Sequence, residues 1–351
     1  MKRLKKAVLI LLCLALLPLS GCGEGKTYQK EIFAMDTYMT LTAYGKNAET
    51  GLSSAVGVIN SLAAMLDPED EDSEVYALNH ARGAAMVMPG QIVDMLNVAQ
   101  TVSDRTGGAL DLAIYPLVKA WGFIDGSYTV PTDDEIDLLL SEIDFDGADI
   151  TAFTESGSYL VTIPDGTELT FGAIAKGCAS DYAIAALRSA GVESAVVSLG
   201  GNVQTLGKKP DGSNWNVAVQ DPNNTSSYVG IVSVGETAVV TSGGYQRYFY
   251  SKDGETRYHH ILNPATGYPA DNGLLSVTIV CESGVLADAL STALFVAGEN
   301  AALAYWRTYG GFEMILVTDD GRVVTTSGLY DAFQTYGDSY TYEFASATAV
   351  S

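Results

Sequence analysis

Histidine and positive charge are what this 351-residue sequence has least of. Its three histidines are His80, His259 and His260, and 19 Lys and Arg stand against 42 Asp and Glu, a formal charge of −23. A field of that sign works against nucleic acid and against electrostatic adhesion to anionic lipid. An anionic ligand would need local cations or a metal ion. Cysteine is almost as scarce, with Cys13, Cys22, Cys178 and Cys281. So few cysteines in a chain this long make no disulfide framework, and Cys281, inside an apolar run, reads as core filler. Low-complexity tracts and internal repeats are lacking. Beyond the N-terminus no apolar stretch approaches the ~20 residues that span a bilayer.

At the N-terminus charge and hydropathy are ordered. Lys2, Arg3, Lys5 and Lys6 precede an apolar run from Ala7 to Leu19, broken only by Pro18. The run is short for a span and has the flanks of a secretory signal. Leu19-Ser20-Gly21-Cys22 resembles a bacterial lipobox. That implies cleavage before Cys22, acylation of its thiol and an extracytoplasmic protein anchored to the cell membrane. The expected layout is a signal peptide over 1–21, lipidated Cys22 with a polar tether over 22–30, and one domain over 31–345. Removing residues 1–21 leaves 15 basic against 42 acidic side chains, or −27.

Hydrophobic periodicity predicts a strand over 32–44, helices over 48–66 and 91–105, and a helix through Leu140 opened by a Thr132/Glu135 capping box. It also predicts a helix over 176–190, strands at 194–199, 215–219, 230–234, 238–241 and 274–281, a helix over 285–296, and a hairpin from 312–318 and 323–327. Strands and helices mix without a regular βαβ repeat, so the fold class is α+β with mixed sheets and packed helices in one domain.

Three places carry candidate chemistry. His259 and His260 precede an Asn263-Pro264-Ala265-Thr266-Gly267 turn, which would hold a side chain at a loop mouth. A neutral imidazole is the natural general base near pH 7. Asp288 and Thr292 are i and i+4 in an otherwise apolar helix, hence on one face. A buried carboxylate needs a cation or a strong donor, and carboxylate with hydroxyl oxygen suits a hard ion such as Mg²⁺. Gly172-Ala-Ile-Ala-Lys-Gly177 opens a helix and places Lys176 with free amides at its N-terminus, a ready anion site. Ser198-Leu-Gly-Gly-Asn202 supplies a second glycine turn. Taken singly, each has a plain structural alternative: a histidine of a turn, an Asp capping a loop, glycines as punctuation.

Together these segments resemble the FAD:protein FMN transferase family, the ApbE-type flavin-trafficking lipoproteins. The matching pieces are Ala34-Met-Asp-Thr37, Ser73-Glu74 with Asn79, Gly108-Ala-Leu-Asp111, Pro116-Leu117, Trp121-Gly122-Phe123, Gly172–Gly177 and Ser198–Asn202. They continue with Thr241-Ser-Gly243 and Arg247, the His260 turn, and Ala287-Asp-Ala-Leu-Ser-Thr-Ala293. They stand in the family's order over nearly the whole mature chain. The resemblance implies Mg²⁺-dependent transfer of FMN from FAD to a threonine of acceptor proteins, with AMP released. It implies extracytoplasmic redox subunits as acceptors. It also implies that Met35 packs on the isoalloxazine ring, that Ala109, Leu110, Asp111, Lys176 and Ile261 contact FAD, that Ala173, Asp288 and Thr292 bind Mg²⁺, and that His260 is the base. The family usually has Asp at Thr170, Pro-Thr at Leu112-Ala113, Asp at Gly244, Glu at Gln246 and Asp at Asn263. The same site would serve an Mg²⁺-dependent FAD pyrophosphatase, with water replacing threonine, and a binder of FAD without chemistry is the third reading.

Overall fold

Alternating and continuous apolar stretches pair into a nine-stranded sheet covered on both faces. The computed structural model describes residues 26–347 apart from 142, 144, 146, 147 and 154–157. The expected signal segment and Cys22 lie outside the described residues. In chain order the elements are β1 (Thr27–Ala34), β2 (Thr37–Tyr44), α1 (Ala48–Leu66), α2 (Glu74–Asn79), β3 (Met86–Pro89), α3 (Gly90–Thr106), α4 (Tyr115–Ala120), α5 (Asp133–Leu140), β4 (Asp149–Phe153) and β5 (Ser158–Thr162). Next come α6 (Ala175–Ser189), β6 (Ala195–Leu199), β7 (Asn202–Leu206), β8 (Trp215–Asp221), β9 (Asn224–Val234), β10 (Ala238–Gly243), β11 (Tyr248–Tyr250), β12 (Arg257–His259) and β13 (Leu274–Cys281). The chain closes with α7 (Gly284–Ala297), α8 (Glu299–Tyr309), β14 (Glu313–Thr318), β15 (Arg322–Thr326), β16 (Phe333–Thr335) and β17 (Thr341–Ala345).

The main sheet runs β1-β2-β6-β7-β10-β13-β14-β15-β17, and only the β15–β17 pair is parallel. Side chains alternate between its faces. Val240, Val277, Ile279, Met314 and Leu316 face α3, α6 and α7 in the largest core cluster. Val239, Val280, Ile315 and Val317 face the three-stranded sheet β16-β9-β8, where Trp215, Val219 and Phe333 cover them. Two covered faces explain why β13 is apolar at consecutive positions. The fold is α+β, as the irregular mixture of elements implies.

Two departures concern the N-terminal strands. The expected strand over 32–44 is two strands, β1 and β2, joined by Met35 and Asp36, both with left-handed backbone (φ 48° and 57°). A two-residue hairpin turn of that hand usually takes Asn-Gly or Asp-Gly, so Met-Asp gave no turn signal. The sheet also begins at Thr27, so residues 27–30, read as tether, are β-paired with 41–44.

Candidate active site

The expected site residues come from loops that meet the helix-covered face of the sheet. The core cluster against α7 holds Leu110, Ile174, Ala175 and Ile261, and Met35, Ala109 and Ala173 pack on it while keeping some surface open. Five residues expected at the site, Met35, Ala109, Leu110, Ala173 and Ile261, thus belong to or pack on one core cluster. Leu110 and Ile261 are themselves core, at 2% and 6% exposure, which leaves Met35, Ala109 and Ala173 as the partly open apolar surface.

Backbone pairing sets the loops against each other. The amide of Thr170 donates to the carbonyl of Leu112 at 2.8 Å, which joins the Ala109–Leu112 segment to the Gly172 loop. Asn79 brackets the same loop, its Nδ2 donating to the Leu169 carbonyl at 3.0 Å and its Oδ1 accepting the Leu169 amide at 2.8 Å. Asp111 caps the short turn that follows, accepting the Ala113 amide at 2.7 Å. The glycine turn between β6 and β7 lies against β2, since a methyl group on Gly200 would overlap Thr37.

Asp288 is buried at 2% exposure in α7. Its Oδ2 accepts the Gly177 amide at 2.8 Å and lies 3.8 Å from Lys176 Nζ. A buried carboxylate thus has the strong donor and the cation that burial demands. No hydrogen bond to its Oδ1 is formed among the described residues. One turn on, Thr292 Oγ1 is half-buried and 3.1 Å from Ser242 Oγ, which also meets Ser291 Oγ at 2.8 Å. Ser242 was not singled out by sequence reasoning; its segment was recognised, but nothing in a Thr-Ser-Gly run says which hydroxyl faces a helix. Asp181 was missed for the same reason. It ties the start of α7 to α6, accepting the amides of Gly284 at 2.8 Å and Val285 at 2.9 Å.

The expectation of free amides at the start of α6 needs correction. The amides of Ile174 and Ala175 both donate to the Phe171 carbonyl, and that of Gly177 is held by Asp288. Anion binding there falls to Lys176 more than to the helix terminus. Among the described residues no three His, Cys, Asp or Glu side chains gather as metal ligands, so a cation would rest on one carboxylate with neutral oxygens.

The adjacent histidines point apart. His259 is buried, its Nε2 donating to the Ala270 carbonyl at 2.9 Å and its Nδ1 accepting the Ile261 amide at 3.2 Å. Its ring fills the space beside Gly244, where a Cβ would lie 2.7 Å from His259 Cδ2. The Asp common in the family has no room there. His260 is half-buried, and its Nδ1 lies 3.2 Å from the Arg247 carbonyl. Burial of the ring first, and then the Arg247 guanidinium, push its imidazole down to about 3. The ring is neutral far below pH 6, and the ordinary imidazole titration is displaced. Trp121 fixes the turn beyond it, Nε1 donating to the Gly267 carbonyl at 2.8 Å.

The fold is α+β and joins a buried Asp288 paired with Lys176 to a half-buried, neutral His260 whose charge Lys176 opposes. The chain belongs to the ApbE family, whose pattern matches residues 35–316. A FAD:protein FMN transferase of Treponema pallidum is 31% identical over 341 residues, covering 92% of this chain and 93% of that protein. One of Vibrio cholerae is 34% identical over 320 residues, covering 90% and 92%. The crystal structure of the ApbE protein of Thermotoga maritima matches with a TM-score of 0.79 at 29% identity over 88% of this chain and 99% of that one. That of Pseudomonas stutzeri flavinyl transferase ApbE, apo form, matches with 0.78 at 27%, over 90% and 99%.

Proposed function

We propose that this protein is a FAD:protein FMN transferase that moves FMN from FAD onto a threonine hydroxyl of acceptor proteins and releases AMP. The observation that carries the reading is His260: a neutral ring whose Nδ1 is turned to a carbonyl, which leaves Nε2 as the lone-pair nitrogen. In the proposed step the threonine Oγ bonds to the FMN phosphorus of FAD, the bridging P–O bond breaks, and AMP leaves with its electron pair. The hydroxyl proton passes to Nε2 of His260. Met35 and Ala109 offer the apolar surface for the isoalloxazine ring, with Leu110 and Ile261 beneath, and Asp111 fixes their loop. Lys176 offers positive charge to the pyrophosphate.

Asp288 through Oδ1, the Thr292 hydroxyl and the Ala173 carbonyl would hold Mg²⁺, an all-oxygen set that fits a hard cation. The ion would supply charge neutralisation to the pyrophosphate. Export, acylation of Cys22 and action on redox subunits outside the cytoplasm complete the proposal. They rest on Leu19–Cys22 and on the family.

Incubation with FAD, Mg²⁺ and a threonine-bearing acceptor tests the reading. Covalent flavin on the acceptor is the expected result. Free FMN with AMP would make the protein a pyrophosphatase, and unchanged FAD a binder. Asp288→Asn, which keeps the side-chain volume, should weaken Mg²⁺ binding and turnover far more than folding, and an unchanged Mg²⁺ dependence would assign this Asp to structure.

A further inference from the structure

Arg247 and His260 face each other one step beyond the β11–β12 ladder. Tyr248 pairs with His259 in register, so the next rung joins Arg247 to His260, whose amide donates to the Arg247 carbonyl at 3.1 Å. The same carbonyl meets His260 Nδ1. A carbonyl only accepts, so the ring hydrogen sits on Nδ1 and the lone pair on Nε2. A rung at the end of a two-stranded ribbon would fray without further support. Here the support is the Arg247 guanidinium, which donates to the carbonyl of Phe123. Phe123 is itself fixed. It is 1% exposed, its amide donates to the Val118 carbonyl at 3.1 Å, and its ring stands edge-on to the His260 ring at 6.4 Å.

We infer that Arg247 is the positioning residue of the base: by clamping the last rung to Phe123 it holds His260 in the Nδ1–H tautomer with Nε2 left to accept. The inference rests on the proposed role of His260. The ionisable groups acting on the ring are Arg247 across the rung, His259 beside it and Lys176 from the first turn of α6, and all disfavour imidazolium. The clamp therefore also keeps the ring neutral, and an acidic medium should not switch it off.

Imidazole ¹⁵N spectra of the full mature chain across pH, with flavin transfer measured on the same samples, test the inference. In the parent, a proton on Nδ1 is expected, and a proton on Nε2 overturns the clamp without any variant. Arg247→Met removes the tie to Phe123, so the ring proton should no longer be confined to Nδ1, while the midpoint should rise only part of the way because burial, the larger cause, remains. Its transfer should fall tenfold or more at pH 5.5 and at pH 8 alike. Arg247→Gln keeps a donor for Phe123 but no charge, so it should retain the tautomer while the midpoint rises. Arg247→Lys, a point charge without the planar fork, should keep the low midpoint and lose rate at every pH. A Met variant that keeps the ring proton on Nδ1 and transfers flavin at the parent rate overturns the inference. His260→Ala runs alongside. If it transfers flavin at the parent rate, the base assignment fails, while the spectra still judge the clamp.

Discussion

His259 and His260 differ by one position in sequence and entirely in surroundings. His259 is buried with both ring nitrogens bonded to backbone, so His259→Ala leaves a buried carbonyl and amide unpaired. That should cost about 1–3 kcal/mol, seen as a lower melting temperature, while folded protein keeps most of its transfer rate. His260→Ala should lose ~10²–10⁴-fold in transfer with FAD affinity little changed, the usual worth of a general base. The sign of the pH dependence follows from its surroundings. In the proposed role the neutral form is the working form, and with the imidazole pushed down to about 3 the parent rate should hold as pH falls from 8 to 5. A rate that halves near pH 6.5 would show an ordinary imidazole at work. Stability behaves differently. The unfolded chain takes up a proton below about 6.5 that the folded ring refuses, so this site makes the fold less stable as pH falls from there toward 3. At this scale the sequence was readable where spacing encodes geometry, as with Asp288 and Thr292. Ser242 and Asp181 stayed hidden because their partners come from elements distant in sequence.

Helices α6 and α7 approach unusually closely at Gly177 and Gly284. A methyl group on Gly177 would overlap the Gly284 carbonyl and lie 2.7 Å from Asp288 Cβ; one on Gly284 would lie 2.5 Å from Ser180 Oγ and 2.6 Å from the Gly177 carbonyl. Gly177 is thus a packing residue, although in sequence it read as part of a glycine turn. Overpacking typically costs about 1–3 kcal/mol. Gly177→Ala should therefore lower the melting temperature and, by pushing Asp288 away from the Gly177 amide, raise the Mg²⁺ concentration needed for transfer. Normal melting with normal Mg²⁺ dependence would show that the helices can part without consequence. Long periodic elements were legible, and α1, α5 with its capping box, β13 and α7 lie within a residue or so of their expected spans. Short ones were not. The small sheet β3-β5-β4 and strands β16 and β17 are too brief for periodicity to separate strand from loop, and their existence depends on neighbours far along the chain; the eleven-residue α8 was also absent from the expected elements, and it has no side-chain N-cap to mark its start.

For the whole molecule, the separation of attachment and chemistry along one strand sets where the reaction can occur. β1 starts at Thr27, five residues after Cys22, and ends beside Met35. With lipid on Cys22, as proposed, the intervening chain reaches at most about 18 Å. The fold would hang close against the bilayer, with β1 as a rigid post roughly 25 Å long between the leash and the Met35-Asp36 turn proposed to meet the flavin. Cys22→Ser should release the protein from membranes or leave it unprocessed, and a mutant that still fractionates as mature lipoprotein would remove the anchor from the proposal. Inserting a flexible segment before Thr27 should change flavin loading of a membrane-embedded acceptor and leave a soluble acceptor peptide unaffected. Equal effects on both would mean that the height of the site is immaterial. With the proposed anchor, a leash this short would make the enzyme a fixture at a set distance from the surface, and an acceptor would have to present its hydroxyl at that height.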